Sequence, residues 1–155
     1  MLQFMHLMLV QIGSLPAAKD PYEILIHDYL KRCSPLLQAS GQAFRTEKAF
    51  FEAMGRMQNR TQPHIVLLDP RGRTLTSEAF AAWIGERRDT GAQQLVFAVG
   101  AADGWSDEAR GKIRNNGMLL SLGPMTLAHH LARLVLAEQI YRACTILTGH
   151  PYHRQ

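Results

Sequence analysis

The sequence lacks the features of disulfide-stapled, zinc-binding and membrane-embedded proteins. Its 155 residues include only two cysteines, Cys33 and Cys144, and no Cys-x-x-Cys pair. Both cysteines have apolar neighbours in predicted helices, so we expect buried, reduced thiols and no metal centre. No apolar run approaches the roughly 20 residues of a membrane span, and no basic residue precedes Lys19, as a secretory signal would require. The sequence therefore predicts a cytoplasmic protein with no membrane or metal partner.

The glycine signatures of the common nucleotide-binding folds are also missing. The first apolar run leads into Gln11-Ile-Gly-Ser-Leu, and neither G-x-G-x-x-G nor G-x-x-x-x-G-K-[ST] occurs anywhere. This argues against NAD-type Rossmann enzymes, P-loop NTPases and methyltransferases built on the Rossmann sheet. The charge balance is 17 basic against 13 acidic residues, a net charge of +4. This mild excess permits a nucleic-acid partner but does not show one.

What the sequence does contain is a regular alternation of apolar runs and helical patterns. The predicted strands are Phe4 to Ile12, Gln42 to Arg45, His64 to Asp69, Gln94 to Gly100 and Met118 to Leu122. The predicted helices begin after Asp20, at Thr46, at Thr76 or Ser77, at Ser106 and at Thr126. Alternation of this kind predicts an α/β fold, with a mostly parallel five-stranded sheet and helices on both faces. We expect one domain over residues 1–155, with a short tail at 148–155.

Three predicted strands end in loops that could form a small-molecule site. The loops are Leu68-Asp69-Pro70, Gly100 to Gly104, and Leu122 to Thr126. Ligands of parallel sheets bind beyond the carboxyl ends of the strands, and these three strands are the last in the chain, so we expect them to be neighbours. The alternative is three ordinary turns.

The last predicted helix, Thr126 to about Leu147, is apolar on two sides. One side carries Leu127, Leu131, Leu134 and Val135, and the other carries Ala132, Leu136, Ile140, Ala143 and Leu147. Such a helix needs cover on both sides, which predicts a partner subunit in a twofold homodimer. Full burial inside the monomer is the alternative.

Polar residues on and after this helix could carry chemistry. Glu138 has Arg142 at i+4, which favours a structural ion pair, although a catalytic acid or base is possible. His129 lies in the first turn, where the helix dipole disfavours imidazolium; it could hydrogen-bond a substrate or simply pack. The tail holds Tyr152, His153 and Arg154, which suit a stacked RNA base, whereas an isolated tail is usually disordered.

Four groups of residues together resemble one known family. They are Leu68-Asp69…Gly72 with Ser77-Glu78; Phe97-x-x-Gly100-x-x-Asp103-Gly104; Leu120-Ser121-Leu122-x-x-Met125-Thr126-Leu127-x-His129-x-x-x-Arg133; and Glu138-Gln139-x-Tyr141-Arg142-Ala143…Pro151-Tyr152-His153. In this order they are similar to the small, single-domain methyltransferases of the SPOUT class that N3-methylate a pseudouridine in large-subunit ribosomal RNA.

The resemblance implies a C-terminal trefoil knot, a homodimer, the assembled ribosome as substrate and S-adenosylmethionine as methyl donor. The residues that it places around the donor are Leu68, Gly100, Ala101, Gly104, Leu122, Gly123, Pro124, Met125, Thr126 and Leu127. It places Tyr152 and His153 over the donor and the target base, with the partner's tail as a possible contributor. We take His153 as the first candidate for the proton acceptor, Tyr152 as the group that orients or stacks on the base, and Glu138, His129 and Arg133 as supporting residues.

Two departures from the family pattern keep alternatives open. The chain has Ala101 where the family usually has a second glycine, and Ala128 where it usually has proline. An alanine at position 101 would be costly if that position needed a positive φ. The alternatives are a knotted methyltransferase acting on transfer RNA, and a non-catalytic dimeric ribosome-binding factor whose cofactor pocket has decayed at Ala101.

Overall fold

The strands form a single five-stranded parallel sheet. The computed structural model describes residues 5–34, 36–57, 62–113 and 117–154. The strands are β1 (Met5–Ile12), β2 (Leu37–Phe44), β3 (His64–Thr74), β4 (Gln94–Val99) and β5 (Met118–Ser121). Their order in the sheet is β2-β1-β4-β3-β5, and every neighbouring pair is parallel. The predicted α/β class is therefore confirmed.

Helices cover both faces of the sheet, as predicted. They are α1 (Pro21–Arg32), α2 (Glu47–Met57), α3 (Ser77–Asp89), α4 (Asp107–Lys112) and α5 (His129–Thr148). Alternate residues of β1 show the two faces, because successive side chains of a strand point to opposite sides. Leu9 belongs to the apolar core that includes residues of α1, α3 and α5, whereas Val10 belongs to the core with residues of α2 and α4. Helix α5 packs against both α1 and α3, and the threading of a knot stays a prediction.

Side-chain caps fix where four of the helices begin. Asp20 accepts a hydrogen bond from the Tyr22 backbone N–H at 2.9 Å, and Ser106 accepts one from Ala109 at 3.1 Å. Thr46 and Thr76 cap α2 and α3 in the same way. Such caps satisfy backbone donors that the first turn leaves free, so the sequence placed these starts correctly. In the described part of the chain, none of these helices is long and apolar enough to cross a lipid bilayer.

Three predicted boundaries are wrong. Strand β2 begins at Leu37 and not at Gln42; it is an edge strand paired only with β1, so it carries little of the apolar pattern of a buried strand. Helix α5 begins at His129 and not at Thr126, so Thr126 and Leu127 belong to the preceding loop. The predicted helix ends near Arg60 and at Asn115-Asn116 lie outside the described residues, as does Pro35.

The third error concerns Pro70-Arg71-Gly72, which we expected to turn the chain. Strand β3 instead continues to Thr74, and its pairing with β5 shifts register between Leu68 and Arg73. A Cβ on Gly72 would lie 2.5 Å from the backbone carbon of Leu119. Only glycine allows β3 to pass this close to β5.

Candidate functional site

A cavity of about 300 Å³ lies beyond the ends of β4 and β5 and beside residues 68–70 within β3. These strands are neighbours in the sheet, which confirms the expectation from their order in the chain. The predicted cofactor residues all line this one cavity: Leu68, Gly100, Ala101, Gly104, Leu122, Gly123, Pro124, Met125, Thr126 and Leu127. His129 lines it too. We call it the loop cavity.

Trp105 joins the loop after β4 to the end of β3. Its indole N–H donates a hydrogen bond to the Leu68 carbonyl oxygen at 3.1 Å, and the residue is only 4% exposed. The same ring lies 3.1 Å from where a Cβ on Gly100 would be, so glycine leaves room for the indole. The sequence analysis missed Trp105, although a tryptophan directly after a predicted ligand loop could have indicated a residue that supports the loop.

The alanine at position 101 causes no backbone strain. Across the described residues, every non-glycine residue has a negative φ, whereas Gly104 turns this loop with a φ of +80°. The Gly104 N–H donates to the Ala101 carbonyl oxygen at 2.8 Å and closes the turn. The backbone strain that a positive φ would impose on Ala101 is therefore absent. This removes the reason to regard the cofactor cavity as lost at Ala101.

The loop after β5 presents free backbone donors beside the loop cavity. Its start is fixed by the Ser121 hydroxyl, which accepts a hydrogen bond from the Gly123 N–H at 3.1 Å. For Met125, Thr126 and Leu127, no hydrogen bond within the described ranges engages the backbone N–H. Backbone donors need a partner, so these three groups are available to a ligand. The Met125 side chain is 83% exposed.

Asp69 anchors the middle of β3 at the wall of the cavity. Its carboxylate is 2% exposed and accepts a hydrogen bond from the Arg71 N–H at 2.8 Å and another from Arg110 Nε at 2.7 Å. The pairing also raises the pKa of the Arg110 guanidinium. Because both carboxylate oxygens are engaged, Asp69 holds the loop in place. Sequence reasoning gave no sign of its partner 41 residues away.

Two ionisable side chains line the loop cavity, Asp69 and His129. Asp69 is paired with Arg110, whereas His129 has no carboxylate partner among the described residues. Burial lowers its pKa, and the charges of His130 and Arg133 lower it further. A histidine ordinarily titrates near 6.5, so His129 is neutral at pH 7. A neutral imidazole can accept a proton from a bound molecule or hydrogen-bond to it.

The tail, residues 149–154, folds back onto α3 and α5. The Tyr152 hydroxyl donates to Glu138 Oε1 at 3.0 Å, and burial and this carboxylate raise the pKa of Tyr152 to about 12. Arg142 Nη2 lies 2.6 Å from Glu138 Oε1, which confirms the predicted ion pair. Arg142 also donates to His153 Nδ1 at 3.1 Å, so Nε2–H of His153 donates to Glu78 Oε1 at 2.8 Å.

These contacts place the tail beside the loop cavity and not inside it. Glu138, Tyr152 and His153 are absent from the cavity lining. A single protomer therefore does not bring them over the site, and their roles stay predictions.

Arg133 faces α1 instead of the cavity. Its side chain is 2% exposed and forms a bidentate ion pair with Glu23, in which Nη2 lies 3.1 Å from Oε2. The pair ties α5 to α1. Arg133 reaches the site only through its charge, which helps to lower the pKa of His129.

A second cavity of about 240 Å³ adjoins the loop cavity. The two share Leu120, Ser121 and Leu122 as a common wall. On its far side, the Ser77 hydroxyl donates to Gln139 Oε1 at 2.7 Å, and Gln139 Nε2 donates to Glu138 Oε2 at 2.8 Å. We call it the middle cavity. It lies between the loop cavity and the polar residues of α3 and α5 that the tail contacts, Glu78, Glu138 and Arg142.

Comparison with known proteins gives matches over nearly the whole chain. A family model described as "Predicted SPOUT methyltransferase" matches residues 5–153. A curated relative from Koribacter versatilis (strain Ellin345), named "Ribosomal RNA large subunit methyltransferase H", is 43% identical over 149 residues, covering 96% of this chain and 98% of that protein. The protein of the same name from Brucella abortus (strain S19) is 51% identical over 90 residues, or 58% of this chain and 52% of that one.

A solved structure has a similar fold. The crystal structure of a methylase family protein from Neisseria gonorrhoeae superposes with a TM-score of 0.53 at 14% identity, covering 99% of this chain and 87% of that one. At this identity the likeness shows the fold alone. The family follows from the sequence matches: this chain belongs to the SPOUT methyltransferases.

Proposed function

We propose that the protein transfers a methyl group from S-adenosylmethionine to N3 of a pseudouridine in large-subunit ribosomal RNA, on the assembled ribosome in the cytoplasm. One observation carries this proposal. The ten residues that the motifs assign to the methyl donor line one cavity at the carboxyl edge of the sheet, in a chain that matches a large-subunit ribosomal RNA methyltransferase over 96% of its length.

The loop cavity fits a folded donor of this kind. Its volume of about 300 Å³ is at the lower end of the range for small-molecule sites, which are mostly apolar with a few convergent polar groups. Leu68, Leu122 and Leu127 supply apolar wall, and the free N–H groups of Met125 to Leu127 supply donors. S-adenosylmethionine, when bound, supplies an electrophilic methyl group on a sulfonium.

The middle cavity suits the acceptor base. It shares a wall with the loop cavity, so two molecules that occupy the two cavities lie side by side. Holding reactants in this way removes much of the entropic barrier. The N3–H of the base must lose its proton before or during attack. We assign that proton to His129, which lines the loop cavity and has no carboxylate partner among the described residues, in place of His153, whose two ring nitrogens contact Arg142 and Glu78 within the protomer. Burial lowers the pKa of His129 first, and Arg133 acts as a positioning residue whose charge helps to keep it low.

A homodimer would bring the tail's groups to the site. Apolar side chains of α1 and α5 stay exposed: Ile24 is 56%, Leu25 46% and Leu131 37% exposed. A twofold contact through these helices would cover them. We propose that Tyr152 and His153 of a second copy's tail then close over the acceptor base, with Glu138 orienting Tyr152.

Radiolabelled methyl transfer to ribosomes that lack this modification, followed by nucleoside analysis, tests the proposal. We expect label in one N3-methylated pseudouridine per large subunit. Label in isolated transfer RNA and none in ribosomes would select the tRNA-directed alternative. Calorimetry that finds no S-adenosylmethionine binding at millimolar concentration would select the non-catalytic one.

A further inference from the structure

A third cavity, which we call the basic groove, lies along α3. It has a volume of about 770 Å³ and runs between β3, β5 and α3. Three arginines line it: Arg71 and Arg73 from β3 and Arg87 from α3, against one carboxylate, Glu86. The motifs and the proposed reaction use none of these residues.

The positive charge of the groove is weakly compensated. Arg73 Nη1 contacts only the sulfur of Met118, at 3.9 Å, and no ion pair of Arg73 occurs in the described chain. Arg71 lies 3.8 Å from Asp107, and their side chains are 72% and 92% exposed. Such an exposed, long pair contributes little. Two guanidinium groups are therefore free to bind an anion from solution.

The third guanidinium is held in place by an aromatic ring. Arg87 lies over the Trp83 ring, with its central carbon 5.0 Å from the ring centroid, and it also pairs with Glu86 at 3.2 Å. Stacking on an aromatic face fixes the plane of a guanidinium and leaves edge donors for a phosphate. Grooves that bind a nucleic-acid strand commonly combine arginines with aromatic side chains.

The groove adjoins the proposed acceptor site. It shares Leu75 with the middle cavity, and the middle cavity shares Leu120 to Leu122 with the loop cavity. A strand with one nucleotide in the middle cavity would therefore run next to the groove. An acidic protein surface would also match the charge, but it has no reason to lie next to a base site.

We propose that the basic groove binds the sugar–phosphate backbone of the ribosomal RNA strand next to the target nucleotide, with phosphates on Arg71, Arg73 and Arg87. The inference rests on the proposed function, since it names the backbone contact that the acceptor strand would make beside its target nucleotide. Phosphate contacts of this type position a nucleic acid and carry most of the salt dependence of binding.

The test compares Arg73→Ala/Arg87→Ala with the wild-type protein and with Arg56→Ala, an exposed arginine on α2 at the opposite face of the sheet. Binding to large ribosomal subunits is measured from low to high salt, together with methyl transfer and calorimetry of S-adenosylmethionine. We expect the double variant to bind subunits about tenfold more weakly at physiological salt, with a log–log salt slope shallower by about two. We expect unchanged kcat at saturating subunits and unchanged cofactor affinity.

A lysine version, Arg73→Lys/Arg87→Lys, keeps the charge and should retain most of the affinity, which separates a phosphate contact from a folding defect. Wild-type affinity and slope in the alanine variant would overturn the groove proposal, as would an equal loss in Arg56→Ala. A loss of affinity that does not depend on salt would indicate a protein partner and also overturn it. If the wild-type protein methylates no ribosome, the proposed function fails, while the binding measurements still decide on the groove.

Discussion

The indole N–H of Trp105 and the carbonyl oxygen of Leu68 form a hydrogen bond of 3.1 Å across 37 residues of chain. This bond joins the loop after β4 to strand β3, and both segments line the loop cavity. Because β3 and β4 are adjacent in the sheet, the bond fixes the position of this loop against β3. The cavity therefore depends on a side chain that is almost fully buried behind it.

We predict that Trp105→Phe weakens both the fold and the cofactor site. The change leaves the half-buried Leu68 carbonyl oxygen without this donor, which costs about 1–3 kcal/mol of unfolding free energy. S-adenosylmethionine affinity should fall as the two loops move apart. Urea denaturation and calorimetry measure the two effects. Trp83→Phe is the control, because the Trp83 N–H has no hydrogen bond in the described structure; equal effects of both changes would contradict the prediction.

We predict that Glu23→Ala destabilises the protein by about 3 kcal/mol, because it leaves the buried Arg133 guanidinium without its partner. The Arg133 side chain is 2% exposed and the Glu23 side chain 15%. Asp28→Ala, on the same helix, is the matched control: its pair with Arg32 is 49–52% exposed and should contribute under about 1 kcal/mol. Urea denaturation of both variants decides, and a similar small loss in each would contradict the buried pair.

We predict that His129→Gln slows methyl transfer by about 100-fold or more, as removal of a general base usually does. The wild-type rate should fall as the pH drops toward the lowered pKa of His129, since protonation removes the base. His130→Gln is the control. It removes one of the charges that depress the pKa of His129, so the acid limb of its pH–rate profile should move to higher pH at a retained maximal rate.

The same pKa shift predicts how stability depends on pH. Because the folded pKa of His129 lies below its ordinary value of 6.5, the unfolded chain binds more protons between the two values. The contribution of His129 to stability therefore rises with pH through this window and is lost as the pH falls toward the folded pKa. The stability of wild type relative to His129→Gln should fall as the pH drops through this window, and parallel curves would contradict the shift.

We predict that His153→Ala lowers methyl transfer to ribosomes at least tenfold, because we propose that His153 of a second copy's tail closes over the acceptor base. S-adenosylmethionine affinity should be unchanged, since His153 does not line the loop cavity. Arg154→Ala, the exposed neighbour, is the control for general disturbance of the tail. A His153→Ala protein that methylates ribosomes at the wild-type rate would remove His153 from the mechanism.

The sequence predicted elements well where apolar runs are long and caps are local. Strand β4 is buried on both faces and showed an unbroken apolar run, and the caps at Asp20 and Ser106 lie within three residues of their partners. The start of the edge strand β2 was misplaced because its open side faces solvent. Polar residues such as Gln38 and Ser40 are therefore tolerated there, and they interrupt the apolar pattern. A strand that is buried on both faces must be apolar and is therefore visible in the sequence. An edge strand need not be, so its limits are harder to predict.

Long-range contacts lay beyond sequence reasoning. Arg133 was expected near the reacting groups, but its partner Glu23 lies 110 residues earlier, and only the packing of α5 on α1 brings them together. The bond between His153 and Glu78 spans 75 residues in the same way. Apolar periodicity indicates which face of a helix is buried, whereas the neighbour it meets depends on the order of strands in the sheet.

The shared wall of Leu120, Ser121 and Leu122 has a consequence for how such an enzyme can diverge. One short segment lines both cavities, so a substitution in it alters the shape of both. With the donor and the acceptor in the two cavities, as we propose, selection for a new acceptor would therefore also change donor binding. We therefore expect related proteins to change acceptor preference through Arg71, Arg73, Arg87 and the tail. Substitutions there leave the shared wall of the loop cavity and the middle cavity unchanged.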